Sequence, residues 1–152
     1  MRFTLVAVGR SRDGPERDLF AHFNRRLQPS IDLREVDEKR PLPPAQLIER
    51  EGALLLGAVP EGAYVIVLDE KGKTLTSQAF ATRLEAWQMD GIRDVAFLIG
   101  GANGHGAAVK SRANLLLSLG GMTWPHMLVR GLVAEQVYRA HCILTGHPYH
   151  RD

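Results

Sequence analysis

Two five-residue runs restrict the architecture more than any other feature: Tyr64-Val65-Ile66-Val67-Leu68 and Val95-Ala96-Phe97-Leu98-Ile99. Neither run alternates apolar with polar residues, so each has to be buried on both faces, and that is the environment of an inner strand in a parallel sheet. Weaker strand signals surround them. Phe3 to Val8 reads as a buried strand ending at Gly9, Ile31 to Val36 is half polar and belongs nearer an edge, and Leu115 to Leu119 is brief. Helix signals separate the strands. Pro15 opens one helix, with Leu19, Phe20, Phe23 and Leu27 on one face; Pro44 opens another that runs to Gly57. Ser77 is the expected cap of a third, with Phe80, Leu84 and Trp87 on one face and Gly91 at its end. A short helix follows Gly106, and the longest runs from Met127 to Leu144. Five strand–helix units predict one α/β domain over residues 1–152 with a mainly parallel sheet. Ligands of such sheets bind beyond the carboxyl ends of the strands, here after Leu68, Ile99 and Leu119.

The composition narrows the setting. With 45% hydrophobic and 24% charged residues, the chain has the balance of an ordinary globular protein. No apolar stretch approaches the length of a membrane span, and Met1-Arg2-Phe3-Thr4 runs straight into a strand without the layout of a secretion signal. Cys142 is the only cysteine, so neither an internal disulfide nor a multi-cysteine zinc site is expected. These features predict a cytoplasmic protein with no membrane and no metal partner. The net charge of +2 is too small to identify a partner. Its distribution says more: residues 91–152 carry 6 Lys/Arg against 3 Asp/Glu and five of the six histidines, a mildly basic segment that suits a polyanion.

Two loops carry chemistry. Gly100-Gly101-Ala102-Asn103-Gly104-His105-Gly106 lies between a strand and a helix. Its Gly101 and Gly106 have phosphate-loop spacing, yet Ala107-Ala108 stand where a P-loop needs Lys and Ser/Thr. The dinucleotide pattern fails as well. What is left is a backbone that a ligand can approach closely, better suited to a nucleoside without phosphates; a plain tight turn is the competing reading. The second loop, Leu119-Gly120-Gly121-Met122-Thr123-Trp124-Pro125-His126, offers backbone polar groups to a base and apolar side chains to cover its faces, or else Met122 and Trp124 merely complete the core.

The C-terminal segment places His147, Tyr149, His150 and Arg151 within five residues. The histidine spacing is poor for a metal. Arg151 can instead pin a phosphate or an anionic base oxygen, and Tyr149 or His150 can stack on or polarise a base. The bland alternative is a frayed end. Cys142, among Ala140, Ile143 and Leu144, reads as a buried inert thiol, and no Ser-His-Asp or Gly-x-Ser-x-Gly arrangement supports hydrolase chemistry.

Leu98-Ile99-Gly100-Gly101 with Gly104, Thr123-Trp124-Pro125-His126 before Leu128-Val129-Arg130, Glu135-Gln136-Val137-Tyr138-Arg139-Ala140 and the Pro148-Tyr149-His150-Arg151 ending occur in one order and spacing. In these the chain resembles, over its whole length, the ribosomal RNA large-subunit methyltransferase H family of the SPOUT class. The resemblance implies an α/β domain with a C-terminal trefoil knot, and S-adenosylmethionine bound by Leu68, Gly100 and the segment Leu119, Gly120, Gly121, Met122, Thr123 and Trp124. It further implies a homodimer that methylates N3 of a pseudouridine in 23S rRNA within the assembled 70S ribosome. The catalytic and substrate-contacting residues it points to are Tyr149, His150 and Arg151. Ala102-Asn103 and the paired Gly120-Gly121 depart from the family's usual residues, which bears on cofactor affinity.

Methyl transfer to N3 needs that nitrogen to lose its proton, spreading negative charge onto the adjacent carbonyl oxygens. Arg151 is suited to stabilise that charge and His150 to accept the proton, although water could also accept it. The competing functions are a nucleotide-binding protein that uses the Gly100–Gly106 loop and a ribosome-binding factor without catalysis.

Overall fold

The computed structural model describes residues 1–150. Its elements follow the expected alternation: β1 (Arg2–Val8), α1 (Pro15–Asn24), β2 (Asp32–Val36), α2 (Pro44–Gly57), β3 (Tyr64–Thr74), α3 (Ser77–Met89), β4 (Asp94–Ile99), α4 (Ala107–Arg112), β5 (Leu115–Ser118) and α5 (His126–Thr145), then a 3-10 turn at Pro148–His150. The five strands form one sheet in the order β2-β1-β4-β3-β5, and every strand pairing is parallel. β1, β4 and β3 take the inner positions that their unbroken apolar runs require. Half-polar β2 takes an edge.

Because successive residues of a strand face opposite sides, the strands supply two cores. Leu5, Ala7, Ile66, Phe97 and Ile99 face one side and pack with Phe80 and Leu84 of α3 and Val133 and Val137 of α5. Val6, Val8, Val65, Val67 and Leu98 face the other and meet Leu55 of α2 and Val109 of α4.

Three details differ from expectation. Leu27 lies beyond α1, yet it is still buried in the first core. Thr76, not Ser77, caps α3, its hydroxyl accepting from the Ala79 N–H at 3.0 Å. β3 also continues through the Lys-Gly-Lys stretch expected to be a turn. After Leu68 pairs with Leu117 the register slips, residues 69–72 bulge, and Lys73 meets Leu117 again. Gly72 makes this possible: a Cβ there would sit 2.6 Å from the Leu116 carbonyl carbon, so only glycine lets the two backbones approach so closely.

Candidate active site

Since β4, β3 and β5 are neighbours, the loops that follow β4 and β5 meet the bulge of β3 after Leu68 at one place on the sheet edge. The loops enclose a cavity of about 750 Å³, within the range of small-molecule sites. Leu68, Gly100, Leu119, Gly120, Met122, Thr123 and Trp124 all line it. Gly121, expected with them, is not among the lining residues. Met122 and Trp124 are 76% and 43% exposed, so they are not spent on completing the core. They leave apolar surface at the cavity for a ligand. Buried Ser118 holds the second loop in shape: its hydroxyl lies 3.1 Å from the Glu70 carbonyl and accepts from the Gly120 N–H at 3.1 Å.

The cavity also recruits side chains to which the sequence assigned no role. Asp69, Lys71, Asn103, His105, Lys110 and His126 line it, with Lys110 Nζ 3.8 Å from the Asp69 carboxylate. A charged pair of each sign beside apolar walls fits a ligand with zwitterionic and nucleoside parts. His105 is the most informative of them. Its ring lies on the bare Cα of Gly100, where a Cβ would meet Cε1 at 2.9 Å and Nδ1 at 3.1 Å. Burial pushes the imidazole pKa below its ordinary value, outweighing the opposing pull of Asp69 and of the Leu68 backbone. Its Nε2 is buried without a hydrogen-bond partner among the described residues. A histidine between two glycines, five residues beyond Gly100, was the available sequence signal.

Arg130 fastens the start of α5 to the ends of β1 and β2. It is 2% exposed, donates to the Val8 and Gly9 carbonyls at 3.2 and 2.9 Å, and pairs with Glu35. Glu35 in turn accepts from the Ser11 N–H at 2.7 Å, and these partners hold its carboxyl below the usual range against the opposing effect of burial.

The C-terminal segment is docked rather than frayed through His150. The His147 N–H donates to the Cys142 carbonyl at 2.9 Å, and the Tyr149 hydroxyl donates to Glu135 at 3.1 Å. The Tyr149 ring packs edge-on against Tyr138 at 4.8 Å, with the Arg139 guanidinium 5.0 Å from its centre. Burial and the Glu135 charge push the phenol pKa up, so Tyr149 remains a hydrogen-bond donor. Neither Tyr149 nor His150 lines the cofactor-sized cavity, and Arg151 lies outside the described residues. Cys142 is buried, as expected.

A parallel sheet whose carboxyl edge carries a glycine-lined, apolar-rimmed cavity has that cavity where α/β proteins bind their ligands. Residues 1–150 match the family model described as "Predicted SPOUT methyltransferase". The chain therefore belongs to the SPOUT methyltransferase family. It is 62% identical over 151 residues to a ribosomal RNA large subunit methyltransferase H from Paramagnetospirillum magneticum, covering 99% of both chains. Proteins of the same name from Rhodospirillum centenum (53% identical, 99% of both chains) and Rhodospirillum rubrum (52%, 100% of both) are similarly related.

Proposed function

We propose that this protein methylates N3 of a pseudouridine in 23S rRNA, taking the methyl group from S-adenosylmethionine and acting as a cytoplasmic homodimer on the assembled 70S ribosome. The observation that carries the reading is the convergence of Leu68, Gly100 and the Leu119–Trp124 loop on one cavity of about 750 Å³. The names of the relatives support the rRNA substrate. Membership of the SPOUT family supports the C-terminal knot that the resemblance implies. Half-buried Leu128, Leu132 and Tyr138 on α5 support a dimer contact on that helix.

When bound, S-adenosylmethionine supplies an electrophilic methyl group on a positive sulfonium. Leu68, Gly100, Gly120, Met122, Thr123 and Trp124 would hold it by backbone groups and apolar faces, and Asp69 and Lys110 would pair its charged amino-acid groups. The protein's further tasks are orientation and proton removal, because N3 attacks in line only after losing its proton. The sulfonium would supply the methyl carbon and would keep the sulfur–carbon bonding pair. Buried His150 Nδ1, which has no partner among the described residues, is suited to take the N3 proton. Arg151 stabilises the oxygen charge left on the base, and Tyr149 positions the segment through Glu135.

Titration calorimetry with S-adenosylmethionine and with ATP tests the cofactor assignment. The account expects saturable binding of the first only. Binding of ATP alone would return the Gly100–Gly106 loop to a nucleotide role. Light scattering should give the mass of a dimer, and a monomer would remove the α5 contact.

A further inference from the structure

Another cavity, of about 660 Å³, opens on the same sheet edge as the cofactor cavity, at the carboxyl ends of β1 and β2. The first turn of α5 divides the two: His126 and Val129 line the cofactor cavity, and Met127 and Arg130 line this one. A helix with its side chains is about 10 Å across, so the cavities lie roughly one helix width apart. Nothing in methyl transfer itself uses the second of them.

The Arg130–Glu35 pair contributes no net charge to this cavity. The loop after β1 is pinned to the same glutamate. The Ser11 N–H donates to the Glu35 carboxylate at 2.7 Å, and the Arg10 guanidinium donates to the Glu35 carbonyl at 3.3 Å. Arg10 and Arg12, the neighbours of Ser11, are thereby held at the cavity with little loop freedom left to lose on binding. Both are exposed, and neither pairs with a carboxylate among the described residues. Arg17 differs, because Asp13 takes up its guanidinium at 2.7 Å. Phe20, Leu33 and Met127, each partly buried, give the cavity apolar surface, and Glu16 adds a carboxylate.

Two unpaired guanidiniums call for an anion, yet a bare phosphate leaves the apolar surface and Glu16 without a partner. A nucleotide satisfies all three. Its phosphate suits the arginines, its flat base suits the apolar side chains, and base N–H groups suit a carboxylate acceptor. Resting on the function proposed above, we propose that this cavity receives an unstacked rRNA nucleotide near the target pseudouridine, its phosphate on Arg10 and Arg12 and its base against Phe20, Leu33 and Met127. Splayed nucleotides of this kind are what sequence-specific RNA recognition reads. The cavity then fixes where on the ribosome the protein works, a task separate from choosing the atom that is methylated.

The test uses the full-length protein and 70S ribosomes from cells lacking it, with methyl incorporation followed at several salt concentrations. The double variant Arg10→Ala/Arg12→Ala alters only exposed side chains. It is expected to raise the KM for ribosomes about tenfold or more, with kcat within about twofold and S-adenosylmethionine affinity unchanged by calorimetry. The slope of log kcat/KM against log salt should become shallower by about 1.4, at roughly 0.7 per phosphate contact on a single strand. Phe20→Leu should raise KM about fivefold without changing that slope, since it removes stacking and no charge. Arg93→Ala, on an exposed arginine at the amino end of β4, is the control and should match wild type in both. A double variant with wild-type KM and slope overturns the inference, as does an equal effect of Arg93→Ala. A folded Phe20→Leu protein with wild-type KM also overturns it, leaving a charged surface without a nucleotide pocket; should that variant fail to fold, the arginine result decides alone. A monomeric double variant in light scattering would show that the arginines hold a second copy instead. ATP binding that the double variant loses would assign the cavity to a free nucleotide. Either result overturns the inference. Wild-type protein that methylates no ribosomes refutes the proposed function itself, an outcome distinct from all of these.

Discussion

Adding one methyl group at Gly100 separates two reasons for glycine there. Gly100 has ordinary negative-φ backbone geometry, so Gly100→Ala introduces no strain of its own. The new Cβ would lie 2.9 Å from His105 Cε1 and 3.2 Å from Nε2, several tenths of an ångström inside normal contact. The ring has to move. Overpacking of this kind costs about 1–3 kcal/mol, and a destabilisation of that size is expected. In a chain of this size that lowers the melting temperature by roughly 3–10 °C. The assay is a double-mutant cycle read by thermal melting, with calorimetry on the same samples. In a His105→Ala background, Gly100→Ala should cost less than about 0.5 kcal/mol, because its collision partner is gone. Cofactor affinity should fall in Gly100→Ala and recover in the double variant. An equal cost in both backgrounds would refute the packing argument. An affinity loss that persists without His105 would show that Gly100 makes room for the ligand directly.

Three further outcomes are expected. Arg130→Met should destabilise the fold by about 3–5 kcal/mol in denaturant titration, because it leaves Glu35 and the Val8 and Gly9 carbonyls without their partner; near-wild-type stability would show that the ion pair is dispensable. Because the folded His105 pKa lies below 6.5, the unfolded chain binds more protons just below that pH, so its contribution is intact above pH 6.5 and is lost as the pH falls through the folded value. Comparing melting at pH 7.5 and 5.5 should show a larger loss for wild type than for His105→Leu, and parallel losses would contradict the assignment. Arg151→Ala should leave melting and cofactor binding unchanged while slowing methylation about a hundredfold or more, and wild-type turnover would remove Arg151 from catalysis.

The sheet was legible because its inner strands are apolar on both faces, a pattern that few other environments tolerate. The extension of β3 past Leu68 was not, since Asp69-Glu70-Lys71-Gly72-Lys73 has turn composition. Pairing with β5 and the close approach at Gly72 override that local preference. The loops that line the cavity were readable from glycines beside Met122 and Trp124, whereas Gly121 shares their composition but not their place at the cavity. His105 stood in plain view in the glycine loop, yet its role depends on where its ring settles relative to Gly100 and Leu68. Ser77 and Gln136 are 59 residues apart. Helix-start rules made Ser77 a cap, and nothing local could reveal that its hydroxyl instead holds the amide of Gln136.

The central claim concerns one atom of one nucleotide, and mass spectrometry of 23S rRNA reads it directly. Ribosomes from cells lacking the enzyme are incubated with purified protein and S-adenosylmethionine carrying a deuterated methyl group, and the rRNA is then digested to nucleosides. The account predicts a single labelled product, pseudouridine bearing the methyl group at N3, absent when either protein or cofactor is omitted. Label on any other nucleoside, or none under conditions where calorimetry shows the cofactor bound, would contradict it.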